Sequence, residues 1–350
     1  MATRLVIHIG AMKSGTSFIQ QVLRRNKALL GERGIFFGSG PGHGQFAAAK
    51  ELFVHGGDNQ PPFDPDGAWL SLVQAVNAWP GTAVISVELL ATQTPKKIAI
   101  VKEAFAGTDV HVILTARNLA ASVPSTWTES VQNRGIADWA EFVRALRGRQ
   151  ASKAATELAK AFNRQQNIPG VAGRWRSAFG QENFTFITVP PPGAEPTLLW
   201  DRFCDVAGID PVGLDVDVPG NRSIDAASAL VLRALNARLA QTDLKQTQYE
   251  RVVKDVLAKE GLARRAAKGP RVGFKAGWMQ RRAEGDLERL RGLGLRVVGS
   301  LDELRPEAVK GVQPDTVSVE AQLDAAIEGL EVLVLALVEA QQKLRAAGIR

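Results

Sequence analysis

The stretch "IHIGAMKSGTSF", residues 7–18, places glycine, lysine, serine and threonine at spacings suited to holding an anion. An apolar β-like run enters a turn flanked by Gly10 and Gly15, and a helical pattern begins at Thr16. The free amides at a helix start, together with its dipole, attract negative charge. The loop amides run through Ser14 and Gly15, Thr16 and Ser17 add hydroxyl donors, and Lys13 adds a cation on the loop crown. The lysine is displaced from its usual place. Nucleotide-binding P-loops read GxxxxGK[ST], with lysine directly after the second glycine. Here Thr16 takes that position and Lys13 precedes Gly15 by two residues. No carboxylate follows as a metal ligand, and no apolar run ends in the aspartate that Mg²⁺ binding uses. These residues therefore point to metal-free chemistry on a group attached to a bound phosphate.

The pattern GxxKxGT[ST] after an N-terminal strand resembles the 5′-phosphosulfate loop of the sulfotransferases, whose donor is 3′-phosphoadenosine 5′-phosphosulfate. In that family a strand ending in arginine, followed eight residues later by a serine, holds the 3′-phosphate. In "LTARNLAASVPSTWTES" these are Arg117 and Ser125. A residue two helical turns in can share a face with the strand end, and the guanidinium fork suits a phosphate. Ser122 is an alternative partner. A third family element, RKGxxGDW, is matched in part by "RVGFKAGW", which keeps Arg271, Gly273 and Trp278. The likeness, closest to bacterial members of actinobacterial type, extends over about residues 4–304. It includes "VPPPGAEPTLLWDRFCDVAGIDP", "NRSIDAASALVLRALNARL" and "RVVGSLDEL", to which no chemistry is assigned.

The resemblance implies transfer of a sulfuryl group to a hydroxyl or amine, leaving adenosine 3′,5′-bisphosphate. Lys13 and the loop amides would stabilise the transferring group and the leaving phosphate. The proton acceptor in the family is a histidine or a glutamate after the third strand. The matching region, "ISVELLATQTP", offers Glu88. A carboxylate half-buried beside an acceptor can have its pKa raised toward the working range; a structural cap or ion pair is the other reading of Glu88. His43, in the glycine-flanked "GPGHGQF", is a second candidate, because long loops often carry function. His8 and His111 lie inside apolar runs and read as packed core residues, and His55 is uninformative. No two histidines stand at metal-ligand spacing.

The elements that must position these residues follow from periodicity. Apolar, β-branched runs at 4–10, 34–37, 82–90, 109–118, 183–192 and 295–304 read as strands. Helical patterns at 16–30, 46–55 and 136–165 separate them. Alternation of this kind predicts an α/β fold with a central, mainly parallel sheet, and the resemblance implies that it is a P-loop-like three-layer arrangement. The 350 residues, 45% of them apolar, suffice for one large domain or two smaller ones. A net charge of +7 fits an anionic ligand. The single Cys204 excludes an internal disulfide and reads as an inert buried thiol. No signal-like or membrane-length apolar run occurs, so a cytoplasmic protein without a membrane span is expected.

A catalytic domain is expected over 1–310 and a separate amphipathic helix over 315–350. In that helix Leu323, Ile327, Leu330, Val334, Leu337, Gln341 and Leu344 alternate steps of four and three. This is the heptad of two-stranded coiled coils, whereas "VLVLALV" is apolar nearly all round, as a cis-packed helix would be. Packing in cis and a homodimer seam are both open. The basic segment 245–291 is either a solvated surface or a wall near an anion. It carries no nucleic-acid motif. Trp127, Trp139, Trp175 and Trp278 are candidates for either core or the wall of an acceptor pocket. The acceptor class (small molecule, lipid or carbohydrate) is open. Competing functions are a P-loop kinase, against which Thr16 and the missing Mg²⁺ carboxylate speak, and a non-catalytic nucleotide- or polyanion-binding module.

Overall fold

The computed structural model describes residues 2–56, 60–219, 224–265, 269–275 and 277–347. Of the stretches read above, residues 221–223, 266–268, 276 and 348–350 lie outside the described residues. Among the described residues six strands form one sheet: β1 Arg4–His8, β2 Ile35–Phe36, β3 Thr82–Ser86, β4 Asp109–Ala116, β5 Phe184–Thr188 and β6 Arg296–Val298. Their order is β2-β3-β1-β4-β5-β6, and every pairing is parallel. Each of the six expected apolar runs holds one of these strands. The run over 82–90 stops at Ser86, because a helical turn begins at Glu88.

Alternation along β1 shows why the sheet is covered on both faces. Leu5 and Ile7 point into one apolar layer and Val6 into the other, and all three are fully buried. The first layer is closed by Ala48 and Leu52, Trp69 and Leu72, Ile98 and Val101, and Val171 and Trp175. The second is closed by Ile19, Val22 and Leu23 of helix α1 (Thr16–Arg25) and by Trp200, Phe203 and Cys204 of Leu198–Ala207. Each fully buried valine, leucine, isoleucine or phenylalanine among them contributes about 1.5–3 kcal/mol. Burial, chiefly, and the charges of Asp201 and Asp210 push the Cys204 thiol up, which keeps it unreactive.

The chain divides into two units. The first is Met1–Leu119, Arg164–Gly220 and Trp278–Pro306, and it contains the sheet. The second is Ala120–Asn163, Asn221–Gly277 and Glu307–Arg350. In the second unit Trp127, Trp139, Phe142, Phe162 and Phe274 make a run of edge-on and tilted ring contacts. Residues 136–165 are two helices, Trp139–Leu146 and Lys153–Gln165, rather than one. Gly148, at φ 70°, takes the left-handed conformation that ends the first.

The C-terminal helix spans Val319–Ala346, and Ser318 caps it through the Ala321 amide at 3.2 Å. It packs within its unit through small residues. Ala325 and Gly329 are buried, and a Cβ on Gly329 would lie 3.0 Å from Leu257. The heptad side chains face away: Leu323, Ile327, Leu330, Val334, Leu337 and Leu344 are 49–61% exposed. Among the described residues no helix is long and apolar enough to cross a membrane.

Candidate functional site

Strand order brings three carboxyl ends together. β1 lies between β3 and β4, where the sheet order reverses, and in such sheets ligands bind outside the carboxyl ends at that point. The loop after β1 carries Lys13, the turn after β3 carries Glu88, and Arg117 follows β4. The loop is tied to its neighbours as it leaves the sheet. The Val87 amide donates to the His8 carbonyl at 3.0 Å, and Ala11 and Thr115 exchange bonds with Thr115 and Gly10 carbonyls at 2.5 Å each. Gly10 is at φ 96°, and a Cβ there would come within 2.8 Å of the Glu88 Cβ. Only glycine lets the loop start pass so close to that carboxylate's backbone. Lys13 is also left-handed, at φ 67°, which costs a non-glycine residue roughly 1–3 kcal/mol and is found chiefly at functional turns.

A buried polar chain underlies the loop. The Ser14 hydroxyl lies 2.5 Å from the Ala11 carbonyl and 2.7 Å from Thr115 Oγ1. Thr115 Oγ1 is 3.1 Å from His8 Nε2, and His8 Nδ1 is 2.8 Å from Ser86 Oγ. Desolvation lowers the His8 pKa to about 3, so the ring is neutral at working pH. One consistent proton order has Ser86 donating to Nδ1, Nε2–H donating to Thr115, and Ser14 donating to the Ala11 carbonyl. At the crown, Gln166 Nε2 donates to the Met12 carbonyl at 2.9 Å.

The helix that follows starts with open backbone donors. Its N-cap is Gly15 at φ 80°, no side chain caps it, and its first turn holds no acidic residue. Among the described residues no acceptor meets the Thr16 and Ser17 amides. Any acid or capping side chain there would compete for those donors. Thr16 is buried, and Lys13 and Ser17 are half-buried.

Glu88, also half-buried, lines an open cleft of about 440 Å³ in the first unit. Gln20 Nε2 donates to Glu88 Oε2 at 2.9 Å and to the Ser86 carbonyl at 3.0 Å. Gln45 fixes the adjoining strand end, accepting from the Ser86 amide at 2.9 Å and donating to Val84 and Gly38 carbonyls at 3.0 and 2.8 Å. Gln20, Gln45, Thr115 and Gln166 all escaped the sequence reading. The available signal was weak: a threonine and a histidine inside otherwise apolar strands, and a glutamine one turn beyond Thr16 on the same helical face.

The other expected residues fall as follows. His43 is exposed, with Nε2 3.2 Å from the Asp66 carbonyl, and it does not line the cleft, although Ser39 and Gly44 do. Arg117 is exposed by area, yet desolvation by the surrounding protein lowers its guanidinium below the ordinary arginine value. It stays cationic at any working pH. Ser125 and Ser122 belong to the second unit, on the helix Leu119–Gln132. Ser125 is half-buried, and the buried Ser122 hydroxyl has no partner among the described residues. Arg271 is exposed in the second unit, and its stretch is anchored by buried Val272 and Phe274 and by the Val312 amide on its carbonyl at 2.9 Å. Trp127, Trp139 and Trp175 are core residues, 4% exposed or less, and Trp278 is half-buried.

No protein-family profile matches the chain, and no curated protein is significantly similar to it. Among solved structures, it is similar to a crystal structure of a sulfotransferase from Alicyclobacillus acidocaldarius. The identity is 15% and the TM-score 0.41, over 72% of this chain and 96% of the other.

Proposed function

We propose that this protein is a sulfotransferase using 3′-phosphoadenosine 5′-phosphosulfate as donor and a hydroxyl or amine compound as acceptor. The observation that carries the reading is the juxtaposition after β1 and β3: a lysine-crowned anion loop with its start packed on Glu88, and a cleft beside that carboxylate. The residues present fit the donor. Two amides without acceptors, Thr16 and Ser17 at an uncapped helix start, suit the 5′-phosphate, and Lys13 supplies the neighbouring positive charge. Arg117 suits the 3′-phosphate. By sequence spacing Ser125, or the orphan hydroxyl of Ser122, would complete that subsite. Bound there, the donor supplies the sulfuryl group. Arg271 is the family-derived further contact to the nucleotide.

Glu88 is the proton acceptor in this reading. The acceptor oxygen forms its bond to sulfur as its proton passes to the Glu88 carboxylate. The electron pair of the broken sulfur–oxygen bond goes to the departing phosphate, whose charge Lys13 and the loop amides offset. Gln20 holds one carboxylate oxygen and so turns Glu88 toward the cleft. It is a positioning residue. His43, bonded to a backbone carbonyl outside the cleft lining, is the weaker candidate for base. The test is calorimetry with adenosine 3′,5′-bisphosphate against ATP, followed by an acceptor screen read as an added sulfate mass. Tighter, Mg²⁺-dependent ATP binding would overturn the reading in favour of a kinase, and bisphosphate binding without transfer to any acceptor would favour a binding module.

We also infer that the C-terminal helix forms a seam with a second copy of the chain. The β-branched residues Ile327 and Val334 alternate with leucines in the order that favours two strands. The same face is exposed while the opposite, small-residue face is packed.

A further inference from the structure

We propose that the acceptor taken by the cleft beside Glu88 is a small compound bearing its own acidic group. That group is held by Arg24 and Lys27, roughly 6–10 Å, or one to two helical turns, from the reacting oxygen. The inference rests on the sulfotransferase reading for the reaction, but its recognition argument stands on the cleft alone.

Gln20, Arg24 and Lys27 follow at steps of four and three along α1 and the next helix, α2 (Lys27–Glu32), and all three line the cleft with Glu88. Gln20 engages one Glu88 oxygen, Oε2, through its amide. Arg24 makes only a 3.5 Å contact with Gln20 Oε1, and Lys27 Nζ lies 3.7 Å from where a Cβ on Gly38 would stand. Among the described residues no carboxylate pairs with Arg24 or Lys27. The neighbouring Arg25 does pair, with Asp215. Two cations thus line the cleft without an ion pair among the described residues, while Glu88, the carboxylate that lines the same cleft, is held by Gln20. The remaining lining includes the buried Phe37 and the exposed Phe46, which give a ring-bearing or apolar body something to lie on. A volume of about 440 Å³ suits a small molecule. A neutral acceptor would use the aromatic wall and leave both cations idle. An acidic one would gain charge-assisted bonds, which are about twice as strong as neutral ones.

The probe pair is para-hydroxyphenylpropanoate and its methyl ester, each offered with the phosphosulfate donor and followed by product mass. The acid is expected to show a kcat/KM at least about tenfold above the ester, chiefly through KM. Arg24→Gln and Lys27→Gln should each reduce that preference, and the double variant should bring it to about unity. Arg25→Gln should keep it. Should neither compound be turned over, calorimetry of the same pair decides: tighter binding of the acid, lost in the double variant, supports the inference, and equal affinity overturns it. Equal rates for acid and ester, or a preference indifferent to both substitutions, also overturn it. Adenosine 3′,5′-bisphosphate binding separates the two levels. Bisphosphate binding without an acid preference sinks this inference only, while acid preference without bisphosphate binding sinks the sulfotransferase reading and keeps the anion subsite.

Discussion

Thr115 Oγ1 lies 2.7 Å from Ser14 Oγ, joining the anion loop to β4 two residues before Arg117. The bond spans 101 residues of chain and rests on His8, whose Nε2 reaches the same oxygen at 3.1 Å. Thr115→Val keeps the shape and removes the hydroxyl, leaving the His8 ring nitrogen and the Ser14 hydroxyl each one partner short. A loss of about 1–3 kcal/mol is expected in urea denaturation, together with weaker binding of adenosine 3′,5′-bisphosphate by calorimetry. Unchanged nucleotide affinity would detach this chain from the loop's function.

Lys13 and Glu88 should separate in kinetics. Lys13→Ala is expected to lower kcat by about 10²–10³-fold and to weaken the bisphosphate as well. Glu88→Gln should lower kcat by about 10²–10⁴-fold with nucleotide affinity kept. Since Lys13 supplies the positive charge, EDTA should leave the rate unaltered. A loss on His43→Gln equal to that on Glu88→Gln would move the base to the loop.

The 3′-phosphate assignment predicts a selective loss. Arg117→Ala should weaken adenosine 3′,5′-bisphosphate by roughly 10–100-fold while changing the affinity for adenosine 5′-monophosphate little. Ser122→Ala and Ser125→Ala, measured with the same two nucleotides, identify which hydroxyl shares the phosphate. If all three variants weaken both nucleotides alike, that subsite lies elsewhere.

His8 gives the stability a defined pH dependence. Its pKa falls from 6.5 in the unfolded chain to about 3 in the fold through desolvation. Below 6.5 the unfolded chain therefore binds a proton that the folded one refuses. The stabilisation is complete above 6.5 and is lost as pH falls toward 3, by up to roughly 5 kcal/mol. Urea midpoints followed through that window should slope downward toward acid. His8→Gln should flatten the slope, and an unchanged slope would place the acid sensitivity in other groups.

The seam on the C-terminal helix is tested by light scattering. The intact chain should run as a dimer, and Leu330→Asp with Val334→Asp should run as a folded monomer with unchanged circular dichroism, because those side chains are exposed in the single chain. A monomeric intact chain at tens of micromolar would remove the seam.

How much of this was legible beforehand differs between levels. The six apolar runs, the glycine-flanked turn with Lys13 and the heptad of the last helix are patterns within short windows, and such patterns decide local structure. They placed the strands, the loop and the helix. Which face of the last helix packs was decided by the fit of Gly329 and Ala325 against their own unit, a contact that periodicity does not encode. Strand order was likewise a tertiary outcome. Glu88 comes to lie against Gly10 because β3, 74 residues or more along, pairs with β1 in the register Arg4↔Thr82 to His8↔Ser86. Gln20 reaches Glu88 for the same reason, and Thr115 reaches Ser14 because β4 pairs with β1 on its other side. The sequence by itself therefore determined that a glycine-flanked turn bearing Lys13 joins the first strand to a helix. Only the packed sheet decided which carboxylate, amide and hydroxyl stand around it, since burying both faces of β1 is what selects its neighbours.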